Sequence, residues 1–144
     1  MASVQLTSYF FTFLFTIVHF LDSCKEQEWN EPIFFNSYPL WLIITTIFLG
    51  ILQCGIIPAY IGNKTGNYFS IFAALYGLGA GGYHIPLHLL GKSNVCDNNF
   101  SYWIMVLLTI ACIILLVSTV QKIMKKEPKV PYNKVETTIW NVIK

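Results

Sequence analysis

The chain has 144 residues, of which 55% are hydrophobic and only 11% charged, with a mean hydropathy of +0.57. Soluble domains carry about 25% charged residues, so this composition excludes a water-soluble globule, a disordered chain and a nucleic-acid-binding domain. All nine basic residues are Lys, which also excludes bidentate guanidinium clamps on phosphate or carboxylate.

Crossing a hydrocarbon core of about 30 Å takes about 20 apolar helical residues. Four stretches qualify, at 4–21, 40–60, 68–90 and 102–120, and none contains Asp, Glu, Lys or Arg. No basic residue precedes the first, so it reads as a retained span rather than a cleaved signal. The connections at 22–39, 61–67 and 91–101 are short. They predict an all-α, integral membrane, four-helix up-down bundle over residues 1–121, followed by a basic tail at 122–144. The lipid bilayer is thus the first expected partner.

Lys placement predicts orientation. The tail and the second connection hold seven Lys, against Lys25 and Lys92 in the first and third connections. The positive-inside rule then places both termini in the cytoplasm. Tyr38, Trp41, Tyr60, Tyr68, Tyr102 and Trp103 fall near span ends, as an interfacial aromatic belt does. Cys24 and Cys96 share the outer side and form a disulfide candidate in an oxidising compartment. Cys54 and Cys112 read as small packing residues inside spans, and Gln53 as an interhelical hydrogen-bonding group. Gly62-Asn63-Lys64-Thr65-Gly66 lacks the spacing of a phosphate loop and reads as a polar turn.

All three His lie in spans. His19 and His88 each sit two residues before an outer span end, and His84 lies one turn deeper than His88. Asp22 follows His19 at i+3, on the same face if the helix continues. His19, Asp22, His84 and His88 therefore form the candidate site, near the outer face. Four roles fit them: ligands for zinc or another divalent metal, acid–base catalytic residues, a polar cluster that binds a lipid headgroup or small solute, or interfacial His that simply hydrogen-bond water and headgroups. The remaining acidic residues of the first connection, Glu26, Glu28 and Glu31, read as a solvated group, with Glu26 able to extend the His19 face. On the third span, Ala73, Gly77 and Gly81 make a small-residue seam for close helix approach, continuing into His84 and His88 within an arc of about 80°. Pro86 predicts a kink between the two His.

The His19-Phe20-Leu21-Asp22-Ser23 segment and the later His84 resemble the small four-helix membrane proteins of the HXXEE type. These carry His-x-x-Glu-Glu at the end of the first span and a His in a later helix. The likeness covers the layout of most of the chain but few motif residues, since Asp22 replaces the first Glu and Ser23 the second. It implies a membrane-bound enzymatic activity of unknown kind. Three functional classes follow from the sequence. The first is a membrane-embedded enzyme acting on a lipid-soluble substrate. The second is a non-catalytic binding or assembly subunit that packs through the Gly seam on a partner helix or in a homo-oligomer. The third is a small transporter acting as an oligomer.

Overall fold

In the computed structural model, residues 2–30, 35–90 and 99–125 are described. They form four helices: α1 (Ala2–Lys25), α2 (Tyr38–Ile61), α3 (Lys64–Leu89) and α4 (Asn99–Met124). A short 3-10 turn, Glu28–Asn30, follows α1. Each helix packs on its neighbours in sequence, and α4 closes the ring on α1; of the two diagonals, α1 and α3 are the pair that meets across the centre. The all-α bundle is therefore as expected.

Local chemistry sets the helix ends. The Ser37 hydroxyl accepts from the Leu40 backbone N–H and starts α2, with Pro39 in the first turn, where its missing N–H costs nothing. Gly62 ends α2 in the left-handed conformation (φ 75°), and Asn63 caps α3 by accepting from the Gly66 N–H at 2.8 Å. The expected turn is thus only two residues long, and α3 begins at Lys64 rather than at residue 68. Pro86 does not end α3, which runs on to Leu89.

α1, α2 and α4 each contain a segment long and apolar enough to cross a membrane: Val4–Lys25, Tyr38–Ile61 and Asn99–Met124. α3 has the length, but Gly and polar residues dilute its apolar character. Polarity is inverted relative to a soluble protein. Phe10, Phe11, Leu14, Ile43, Ile47 and Ile113 are exposed, while Gln5, Ser8, Thr12, Thr16, His19 and Ser23 form a buried stripe down α1 at helical spacing. In water this arrangement would be costly, but in lipid the outer face is solvated by acyl chains and the polar stripe joins helices. Gln5 donates to Ser70 and Thr119 and accepts from the Lys122 ammonium, which also caps the end of α2 through the Gly62 carbonyl at 2.8 Å. Gln5 thus supplies the interhelical bonding expected of Gln53, which is exposed on α2. Cys112 is buried, as a packing residue should be, but Cys54 is exposed.

The Ala73/Gly77/Gly81 seam is filled from within the chain. A β-carbon on Gly77 would collide with Cys112 Sγ, and one on Gly81 with Thr109 Oγ1, both on α4. The seam therefore seats α4 rather than presenting a face to a partner helix.

Candidate functional site

The helix that carries His19 continues unbroken to Lys25, so His19, Asp22 and Ser23 share the inward face of α1. His84 comes from α3, across the bundle diagonal, and the two imidazole centroids lie 5.4 Å apart. The sequence matches His19 in depth with His88 and puts His84 one turn deeper; α1 runs one turn past residue 21, to Lys25, and it is the His84 ring that meets His19. The third member of the site is one the sequence reading had left in solvent. After α1 the chain reverses at Gln27, which holds a left-handed φ of 57°. This conformation costs a non-glycine residue about 1–2 kcal/mol. It turns the following 3-10 turn back over the bundle, and the Glu28 side chain points inward.

Glu28, His19 and His84 are each only 4% exposed. His84 Nε2 meets Glu28 Oε1 at 2.9 Å, and the Trp41 indole N–H donates to Glu28 Oε2 at 3.4 Å. The Ser23 hydroxyl also bonds Glu28, and it lies 3.4 Å from His19 Nδ1. Burial pushes the Glu28 carboxyl up. The His84 hydrogen bond, the nearby His19 and the Ser23 hydroxyl outweigh that and bring it down to about 2. Glu28 is therefore held as a buried anion. Trp41, expected in the interfacial belt, is instead fully buried and helps to hold this carboxylate. Tyr38, Tyr60, Tyr68 and Trp103 are exposed, as belt residues should be.

One ligand atom from each of His19, Glu28 and His84 can be chosen so that all lie within 4.8 Å of one another. Ligands at about 2.1 Å around a tetrahedral zinc are about 3.4 Å apart, so side-chain closure by up to about 1.4 Å would seat an ion. His84 Nδ1 is buried with no hydrogen-bonding partner among the described residues. In the neutral tautomer that donates Nε2–H to Glu28, that atom is an acceptor with a lone pair. Buried polar atoms are nearly always satisfied, so this one marks a place for a donor or an ion.

The other two expected site residues are placed apart. Asp22 is buried near His19 and acts on it as a charge, but its carboxylate is not in the trio. His88 turns toward α4, with its ring 4.8 Å from that of Tyr102. Four helical residues rotate a side chain by about 40°, and this separates His88 from the face of His84. Cys24 is exposed at the end of α1, and Cys96 lies outside the described residues, so their pairing is not described.

A cavity of about 450 Å³ opens from the trio along α2 and α3. Its walls are Ile44, Phe48, Leu75, Tyr76 and Ala80, with Phe48 and Tyr76 stacked at 4.4 Å. No protein-family model matches this chain, and neither do curated proteins or solved structures.

Proposed function

We propose that the chain is a four-pass membrane protein whose His19, Glu28 and His84 hold a catalytic divalent metal, zinc by the chemistry of the donors. The carrying observation is the approach of these three ligand atoms to within 4.8 Å in a buried setting. Two imidazoles and one carboxylate leave the fourth position of a tetrahedral ion open, the pattern of catalytic rather than structural zinc sites. Bound zinc supplies a Lewis acid and brings a bound water to a pKa of about 7, which suits hydrolytic chemistry. Glu28 brings charge that offsets the ion, Ser23 and Trp41 orient Glu28, and the surrounding apolar side chains exclude bulk water. In the HXXEE comparison, Ser23 stands where a second Glu is expected, and Glu28 restores the carboxylate from the turn.

The topology proposed with this site has both termini and the Lys64 turn in the cytoplasm and the trio near the opposite face. It is supported by the Lys asymmetry and by the site lying at the far end of the bundle from Gly62 and Lys122. The 2.9 Å contact between His84 and Glu28 favours a second reading, a metal-free His–carboxylate pair that moves a proton.

Metal analysis of detergent-purified protein separates the two. The metal reading expects about one zinc per wild-type chain, lost in His19→Ala and in His84→Ala. Wild-type protein free of metal after purification in zinc-supplemented buffer would discard it in favour of the proton-transfer pair.

A further inference from the structure

We infer that the cavity beside the trio binds a single-chain amphiphilic lipid, which enters sideways from the bilayer between α2 and α3. The assignment of its head group to the metal end rests on the reading of the trio above; the binding of its chain rests on the cavity alone. Three observations carry it.

The first is polarity along the cavity. One end holds His19, Glu28 and His84, with Tyr83 packed on His84 and Tyr76 close enough to Glu28 to feel its charge, and the walls beyond are Ile44, Phe48, Leu75 and Ala80. Thr45, also in the wall, spends its hydroxyl on the Trp41 backbone carbonyl at 3.0 Å and offers little to a polar ligand. Such a site, apolar with a few convergent polar groups at one place, fits a molecule with one head and one apolar body. The second is length. Leu75 to His84 spans nine residues of α3, so the lined wall runs about 14 Å along the helix, into the apolar depth of the bundle. The third is the position of the mouth. Leu75 is 57% exposed and Gly79 is exposed, yet both line the cavity, so it opens on the side of the bundle rather than at its end. Exposed Ile43 and Ile47 on α2 flank the cavity residues Ile44 and Phe48 in sequence and add apolar surface on that helix.

Gly79 sets the width of this mouth. A β-carbon there meets no atom within 4 Å, unlike those at Gly77 and Gly81, so packing does not demand the glycine. A larger residue fits the fold and occupies the opening.

The test uses full-length protein in phosphatidylcholine vesicles and a hexadecanol carrying a photoreactive diazirine in mid-chain. After illumination, labelled residues are mapped by peptide mass spectrometry, and zinc is measured on the same samples. Labels are expected on the wall between Ile44 and Phe48 and between Leu75 and Ala80, suppressed by excess unlabelled hexadecanol. Gly79→Phe is expected to lower them about tenfold with zinc content unchanged. Gly50→Phe, at an α2 position equally free of neighbours and outside the cavity, is expected to leave them intact. Wall labelling in a wild-type protein that binds no zinc would remove the metal reading and keep this one. Labelling spread over all lipid-facing helix surfaces, or wall labelling unaffected by unlabelled hexadecanol, would overturn the proposal. The competition result decides even if Gly79→Phe does not fold.

Discussion

Glu28→Gln is the sharpest perturbation, because it keeps the shape of the side chain and removes only its charge. Both carboxylate oxygens receive donors: His84 Nε2 on Oε1 and the Trp41 indole on Oε2. An amide has one acceptor oxygen, so its NH₂ must face one of these donors. Turned to the indole, the NH₂ leaves that N–H buried and unsatisfied; turned to His84, it drives the imidazole to the tautomer whose Nδ1–H has no partner; either costs about 1–3 kcal/mol, and the surviving bond weakens by about 1 kcal/mol on losing its charge. The expected loss is therefore about 2–4 kcal/mol. The depressed carboxyl gives a second route to this magnitude. A fall from 4.5 to about 2 corresponds to about 3 kcal/mol at 1.36 kcal/mol per unit. The assay is reversible unfolding in mixed micelles, with a chelator present so that metal does not contribute. Because the folded value is depressed, this stabilisation is fully present above about pH 4.5 and is lost as pH falls towards about 2. Glu28→Gln should lack that acid-sensitive part. A change below about 0.5 kcal/mol would show that Glu28 is solvated and that the chain reversal at Gln27 does not bury it.

Three further outcomes follow from other parts of the bundle. His88→Ala should leave zinc content at the wild-type level, because its ring lies against Tyr102; loss of zinc would return His88 to the ligand set. Gly81→Val should lower stability by about 1–3 kcal/mol through collision with Thr109, whereas Gly79→Ala should be neutral or stabilising by up to about 1 kcal/mol, and equal melting temperatures would refute the α3–α4 seam. Lys122→Met leaves the Gly62 carbonyl and the Gln5 side-chain oxygen without their donor. It should cost about 1–3 kcal/mol, read by the same unfolding assay, and no change would show that the ammonium is not inserted there.

The four helices were legible because long, charge-free apolar runs mark them, and three of them are long and apolar enough to cross a membrane. Counting residues to the run ends placed all three His towards one end of the bundle but matched His19 in depth with His88 rather than His84. Glu28 was not legible. It lies six residues beyond Asp22 in a connection rich in acidic residues, and only the left-handed Gln27 turns it inward. No residue type demands that conformation at Gln27, so composition gave no signal. Trp41 was misassigned for a related reason: a Trp near a span end serves the interface equally well whether it faces lipid or a buried carboxylate. His88 was grouped with His84 because helical spacing allows 40° between them, and the partner helices decide which ring turns inward. One signal was present in the letters. Gln5, Ser8, Thr12, Thr16, His19 and Ser23 recur at three- or four-residue steps, which marks the inward face of α1 and leads directly to the site. The glycine seam was also readable as a close-packing surface, but the sequence does not say that α4 of the same chain is what fills it.

The site that results is a buried trio at one end of the bundle, opposite the Lys122–Gln5 clasp at the other. The α2/α3 wall leads from it into the apolar zone. A buried polar centre bordered by apolar side chains keeps water scarce around it, and this strengthens the electrostatic interactions within.

The most direct test of the central claim is X-ray absorption at the zinc edge on purified wild-type protein. The account predicts a first shell of nitrogen and oxygen only, at about 2.0–2.1 Å, with the outer-shell scattering of two imidazoles from His19 and His84. A first shell with sulfur at about 2.3 Å, or protein that holds no zinc after loading, would contradict it.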